Sequence, residues 1–237
     1  MIEAVVAHAG GRERWAELDA LEMRVRVGGL AFRMLGQAAP VAEFEAVVMV
    51  HQPRVSFASR TDPTWRGEFD SGAVRIHGDA GIARERPRAV FVRRAPWPKR
   101  WDAIDAMAFS GFALWHYTTF PALLLRPDVR AESVRPRMMA GERVHGIRYR
   151  CPPALPAHSP TQTLWVTGDG AVRRLDYRAR MIAPWARAAN CCLSETTAHG
   201  VSIPDTRRVT PLLPGGVASP APVLVSIDLV VTGVRDR

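Results

Sequence analysis

Lysine is almost missing from this chain: Lys99 stands alone among 32 basic residues, so arginine carries nearly all of the positive charge, as very GC-rich coding DNA would produce. Set against 23 acidic residues, this leaves a net charge of +9, which by itself would suit a polyanionic partner. The arginines, however, alternate with apolar residues, as Arg24 and Arg26 or Arg148 and Arg150 do, and so fall on the outer faces of strands. With no recognition motif present, nucleic-acid binding is not expected.

Cysteine is also scarce. Cys151, Cys191 and Cys192 make an odd number without framework spacing, which argues for a reducing compartment and against a disulfide scaffold or a zinc site. The opening MIEAVVAHAGGRERW lacks the basic leader, long apolar run and small-residue cleavage site of a signal peptide. Every apolar stretch is too short or too interrupted by charge to span a bilayer, so a cytoplasmic protein without a membrane segment is expected. There is no glycine-rich phosphate loop after a strand, no histidine pair at metal spacing and no Gly-x-Ser-x-Gly elbow. The expectation is a protein that uses no cofactor and no metal.

What the chain does contain is enough apolar residue to build a large core: 47% hydrophobic against 23% charged. No linker or repeat interrupts it, so residues 1–237 are expected to form one domain. Ile2–His8 reads as a short helix stopped at Gly10-Gly11, and Trp15, Leu18 and Leu21 as the stripe of a second. From Leu21 the period falls to two, and Gly28-Gly29 is expected to turn into a partner strand around Leu30–Gln37. Strands are expected over Glu43–Val50, Arg54–Ser59, Trp65–Phe69 and Val74–His77. Others follow over Val129–Val134, Glu142–Cys151, Gln162–Thr167, Ala171–Met181, Asn190–Thr197, Thr206–Val209 and Val223–Val231. The predicted fold is mainly β: a highly curved antiparallel sheet or barrel of about ten strands, with helices plugging the concave side.

The plug is expected near residues 88–121, and its core is WDAIDAMAFSGFALWHYTTFP, Trp101–Pro121. A helix this apolar must be buried, and its few polar side chains must then be partnered or put to use. Asp102 reads as a cap in the first turn, while Asp105, Phe109, Phe112 and His116 recur at helical spacing on one face. Strand alternation places His145 and Tyr149 inward, and likewise Tyr177. It also groups Cys191, Leu193, Glu195 and Thr197 on an inward face, which would bury the Glu195 carboxyl and raise its pKa unless a one-residue bulge turned it to solvent. His158-Ser159, in the proline-rich loop Pro152–Pro160, reads as a turn.

The blocks AHAGGRERWAELDALEMRVRVGGLAF, WDAIDAMAFSGFALWHY, AHSPTQ, RRLDYRA and TRRVTP resemble an uncharacterised actinobacterial family whose shape is similar to lipoprotein-carrier and lipocalin-type curved sheets around a helix. His116 stands where that pattern has asparagine, and Asn190 and Glu195 where it has histidines. More loosely, a cofactor-free barrel of this size resembles the polyketide spiroacetal cyclases. That resemblance implies a cyclase or isomerase acting on an apolar, polyketide-like small molecule by general acid and base catalysis. On this reading Asp105, His116 and Glu195 are the proton-transfer groups, and His145, Tyr149, Tyr177, Phe109 and Phe112 hold the substrate. The alternative is a non-catalytic carrier of lipid or another hydrophobic metabolite.

Overall fold

Alternating burial along the strands builds one continuous antiparallel sheet. The computed structural model describes residues 1–37, 42–78, 81–87 and 100–237. Within these, an N-terminal meander comprises β1 (Leu18–Gly28), β2 (Glu43–Met49), β3 (Val55–Ser59), β4 (Arg66–Phe69), β5 (Ala73–Gly78) and β6 (Gly81–Pro87). A C-terminal meander comprises β7 (Arg130–Met139), β8 (Glu142–Arg150), β9 (Thr161–Val166), β10 (Val172–Arg178), β11 (Arg187–Ala198), β12 (Val201–Pro211) and β13 (Val225–Asp236). Consecutive strands pair within each meander, and β1 pairs with β13 to join the two into a 13-stranded sheet whose edges are β6 and β7. The first and last strands of the chain therefore lie in the middle of the sheet. Their register sets Met23, Val25 and Val27 against Val231, Leu229 and Ile227. Alternation holds through β1, where Met23 and Val25 are buried while Arg24 and Arg26 are exposed.

The sheet is curved but not closed. Register shifts in β1, β6, β7, β10 and β11 mark the bulges that bend it. Both edge strands are exposed and rich in arginine, and Pro87 and Pro136 remove backbone donors there, features that discourage another strand from adding to a free edge.

Between the two edges the chain runs through α4 (Ala103–Thr118) and α5 (Phe120–Leu124); α1 (Ile2–His8), α2 (Arg12–Glu17) and α3 (Leu30–Met34) come earlier. Helix α4 packs against β2, β3, β4, β5 and β6 on the concave side, and every residue from Ile104 to Thr118 is buried. Its start is fixed by a capping box: Asp102 Oδ1 accepts from the Asp105 amide at 3.0 Å, and Asp105 Oδ2 accepts from the Asp102 amide at 3.2 Å. Its end is fixed by Thr118 and Thr119, whose hydroxyls donate to the Leu114 and Trp115 carbonyls. At mid-length Gly111 crosses β4, where an added Cβ would lie 2.6 Å from Phe69 Cβ and 2.8 Å from Phe69 Cδ1. The absent side chain is what lets helix and sheet approach.

Several expectations change. Leu30–Gln37 is not a strand: Gly29 at φ 110 ends β1, and Leu30–Met34 is a helical turn that lays Phe32 against Trp101 and Phe109. Leu18 and Leu21 belong to β1 rather than to the second helix, which ends at Glu17. The edge strand β6 had no counterpart in the expected pattern. Of the expected helical plug, residues 88–99 lie outside the described residues.

Replacing Gly111 with alanine should destabilise the fold by about 1–3 kcal/mol through overpacking, although the same change in an uncrowded helix would stabilise by about 1 kcal/mol. Urea unfolding of the variant checks this, and an increase in stability would contradict the close crossing.

Candidate functional site

The polar residues of the interior gather where the last turns of α4 face the C-terminal meander. His116, 1% exposed, has its Nε2 2.5 Å from the Tyr149 hydroxyl on β8 and 3.1 Å from Gln162 Nε2 on β9. With Nε2 accepting from both, the neutral ring carries its proton on Nδ1, the side of the Pro156 carbonyl. Burial depresses His116 to about pKa 4, against a small opposing effect of that carbonyl, so the ring is neutral at pH 7.

One residue on, the Tyr117 hydroxyl donates to the Tyr177 hydroxyl at 2.7 Å, and burial raises both phenols, Tyr177 to about 12. Arg207 on β12, 2% exposed, donates to the Tyr117 carbonyl at 2.9 Å and to Cys192 Sγ at 3.2 Å, with its guanidinium 5.1 Å from the centre of the Tyr117 ring. A cation at that point complements the negative end of α4. Asn190 of β11 lies beside the Tyr117 hydroxyl.

His158 completes the cluster. Its ring stacks on Tyr177 with centroids 4.8 Å apart and planes 15° apart, and it touches Phe109 and Phe112. It is fully enclosed, and neither ring nitrogen has a hydrogen-bond partner among the described residues. Burial, with a lesser contribution from His116, depresses it to about pKa 3. A cavity of about 300 Å³ opens beside this ring under the loop of residues 152–160, walled by Phe112, Leu155, Ala157 and Met181, with Arg150 and Arg180 on its lining. Its size and mostly apolar wall are those of a small-molecule pocket.

The sequence-predicted residues separate into those the cluster contains and those held elsewhere. His116, Tyr149, Tyr177, Phe109 and Phe112 lie together at the end of α4. Asp105 does not: it sits in the capping box, and Arg86 of β6 donates to it at 2.7 Å and to Asp102 at 2.5 Å. Partial burial opposes ionisation of Asp102, but the Arg86 hydrogen bonds outweigh it and bring that carboxyl down to about 2. Asp105 is about 16 Å from His116 along the helix.

Glu195 is elsewhere again, further along β11, with His8 Nε2 2.5 Å from its Oε1 and a side chain 25% exposed. The inward set on β11 is Ala188, Asn190 and Cys192 rather than Cys191, Leu193, Glu195 and Thr197; Leu193 is 63% exposed. The register shifts on both sides of Ser194, and beyond it Glu195 is held by His8 of α1 rather than by the cluster. His145 is half-buried on β8 and outside the cluster. The three residues expected to transfer protons are thus held in three places.

His158, Gln162, Asn190 and Arg207 escaped the sequence reading. His158 carried a signal in its setting, since a histidine flanked by Pro152, Pro153, Pro156 and Pro160 sits on a loop stiff enough to be pressed into the core. Arg207 looked like one of many strand arginines, and only the pairing of Cys192 with Arg207 across β11 and β12 turns it inward. Among the described residues no group of His, Cys, Asp and Glu is arranged to hold a metal ion.

No protein-family model matches the chain, and no curated protein sequence does. Solved structures do. A LolA superfamily protein from Nitrosomonas europaea superposes with a TM-score of 0.52 at 8% identity, covering 97% of this chain and 90% of its own. A domain named for outer membrane lipoprotein sorting, from Vibrio parahaemolyticus, gives 0.49 at 9% identity over 92% and 84%. A DUF1329 family protein from Desulfovibrio piger gives 0.46 at 9% identity over 97% and 89%. At such identities the likeness to the first is one of fold: a curved, unclosed sheet wrapped around helices.

His158→Phe should leave stability at pH 7 unchanged or raised, because the ring loses two unpaired polar atoms and keeps its stacking. The sign with pH follows from the depressed pKa. The unfolded chain binds a proton that the folded one refuses, so His158 costs stability as pH falls from about 6.5 toward 3, by an amount on the order of 5 kcal/mol when fully developed. Unfolding curves at pH 7 and pH 5 should show the variant gaining on the parent at the lower pH. A constant difference between the two would contradict the buried neutral ring.

Proposed function

We propose that the protein binds and carries an apolar, lipid-like small molecule, with the ligand's hydrocarbon part in the cavity beneath residues 152–160. The observation that carries this reading is the enclosed His158 ring on the wall of an apolar cavity, both nitrogens unpartnered among the described residues. A buried polar group without partners costs free energy, and a site where a ligand arrives is where such a cost is retained. Phe112, Leu155, Ala157 and Met181 offer an acyl chain dispersion contacts and little else. The fold shared with the LolA superfamily protein and the resemblance to lipoprotein-carrier sheets support the same reading. An acid–base cyclase would need proton donors and acceptors converging on one substrate. Here Asp105 is tied to Arg86 and Glu195 to His8, which leaves His116 without either.

Binding of a fluorescent fatty acid to the delipidated protein tests the proposal. Saturable binding that a non-fluorescent fatty acid displaces is expected, and Met181→Trp, which fills the cavity, should weaken it by about tenfold or more. Absence of saturable binding, or affinity indifferent to that substitution, would overturn the reading.

A further inference from the structure

A second cavity, of about 670 Å³, lies where β9 and β10 part company. Ladder pairing between these strands ends at Thr163 and Asp176, so Gln162 and Tyr177 beyond them are not paired with each other, and both line the gap. Four exposed arginines converge on it: Arg150, Arg178, Arg180 and Arg187. Their arrangement is unfavourable on its own terms. Arg178 sits directly across from Arg187, and Arg150 directly across from Arg130, and like charges in facing positions repel.

Elsewhere on the same meander, Arg148 pairs with Glu132 at 3.2 Å and Arg173 with Glu142 at 2.8 Å. The four at the gap make no ion pair with a carboxylate among the described residues. Asp176, the one acid on the cavity wall, already accepts from Trp165 Nε1 at 2.8 Å and pairs with Arg174 at 2.8 Å. The cavity is therefore a concentration of positive charge awaiting an anion. Four guanidinium groups offer more donors than one carboxylate can use, whereas a phosphate monoester presents three terminal oxygens and up to two charges, matched to their forked geometry.

This cavity and the apolar one share Arg150, Pro160 and Arg180 on their walls. We infer that the arginine cavity takes the phosphate-monoester headgroup of an amphiphile whose chain lies in the cavity under residues 152–160. The inference rests on the hydrophobic-ligand reading above and adds the chemical class of the ligand.

Calorimetric titration of the full chain with a short-chain phosphatidic acid, the diacylglycerol of the same chains and inorganic phosphate tests it. The phosphatidic acid should bind about tenfold tighter than the diacylglycerol or better, with the margin shrinking as salt is raised. The double variant R178Q/R187Q should abolish the margin while leaving diacylglycerol affinity unchanged and the thermal midpoint unchanged or raised, since a facing like-charge pair is removed, which separates lost recognition from lost folding. Equal affinity for the two lipids, or a margin that survives in the double variant, would overturn the headgroup assignment alone. Inorganic phosphate binding as tightly as phosphatidic acid would also overturn it, giving the cavity to a free anion. Failure of both lipids to bind the parent protein would overturn the hydrophobic-ligand reading with it.

Discussion

Burial of α4 on every side is the constraint from which the rest of the structure follows. A helix with one apolar face can rest on a flat sheet; one that is apolar all round must be enclosed, and a sheet can enclose a helix only by curving around it. The chain supplies that curvature through bulged strands and holds the helix at both ends. Arg86 of edge strand β6 clamps Asp102 and Asp105 at its start, and Arg207 of β12 holds the Tyr117 carbonyl at its finish. The two clamps come from opposite meanders. The helix thereby ties together halves of the sheet whose strands, among the described residues, pair with each other where β1 meets β13.

That enclosure is uneven. Against the N-terminal meander, α4 is packed with aromatic and aliphatic side chains, and Gly111 brings it as close to Phe69 as the backbone allows. Toward the C-terminal meander its last turns meet tyrosines, a glutamine, an asparagine and an arginine, and the loop of residues 152–160 presses His158 between Phe109 and Tyr177. Atoms of His116, Gln162, Asn190 and Arg207 remain unpartnered among the described residues, and His158 has neither ring nitrogen partnered; beside it the packing opens into a cavity with Arg150 and Arg180 on its lining. The mostly apolar cavity beside the unpartnered His158 ring is what makes the loop end of the C-terminal meander the proposed ligand site.

Much of this architecture is legible in the sequence because one face of each strand is dry. The alternation of Met23, Val25 and Val27 with Arg24 and Arg26, and of Ile147 and Tyr149 with Arg148 and Arg150, marks strands and faces together. Asp102 before an apolar run marks a helix start. Where the reading fails, the deciding interaction is distant in the chain. Asp105 resembles a buried acid on the helix face until Arg86 of β6 is seen beside it. The faces of β11 are set by its neighbours, which turn Asn190 and Cys192 inward, and the register shifts again at Ser194, so simple alternation does not carry through to Glu195. Arg207 is an interior residue by tertiary placement alone.

A crystal structure of the delipidated protein reloaded with a fatty acid brominated along its chain tests the central claim most directly, because bromine is located by its anomalous scattering independently of the protein. The account predicts bromine between Phe112, Leu155 and Met181, beside the His158 ring. Bromine against β2–β5, on the far side of α4, would contradict it.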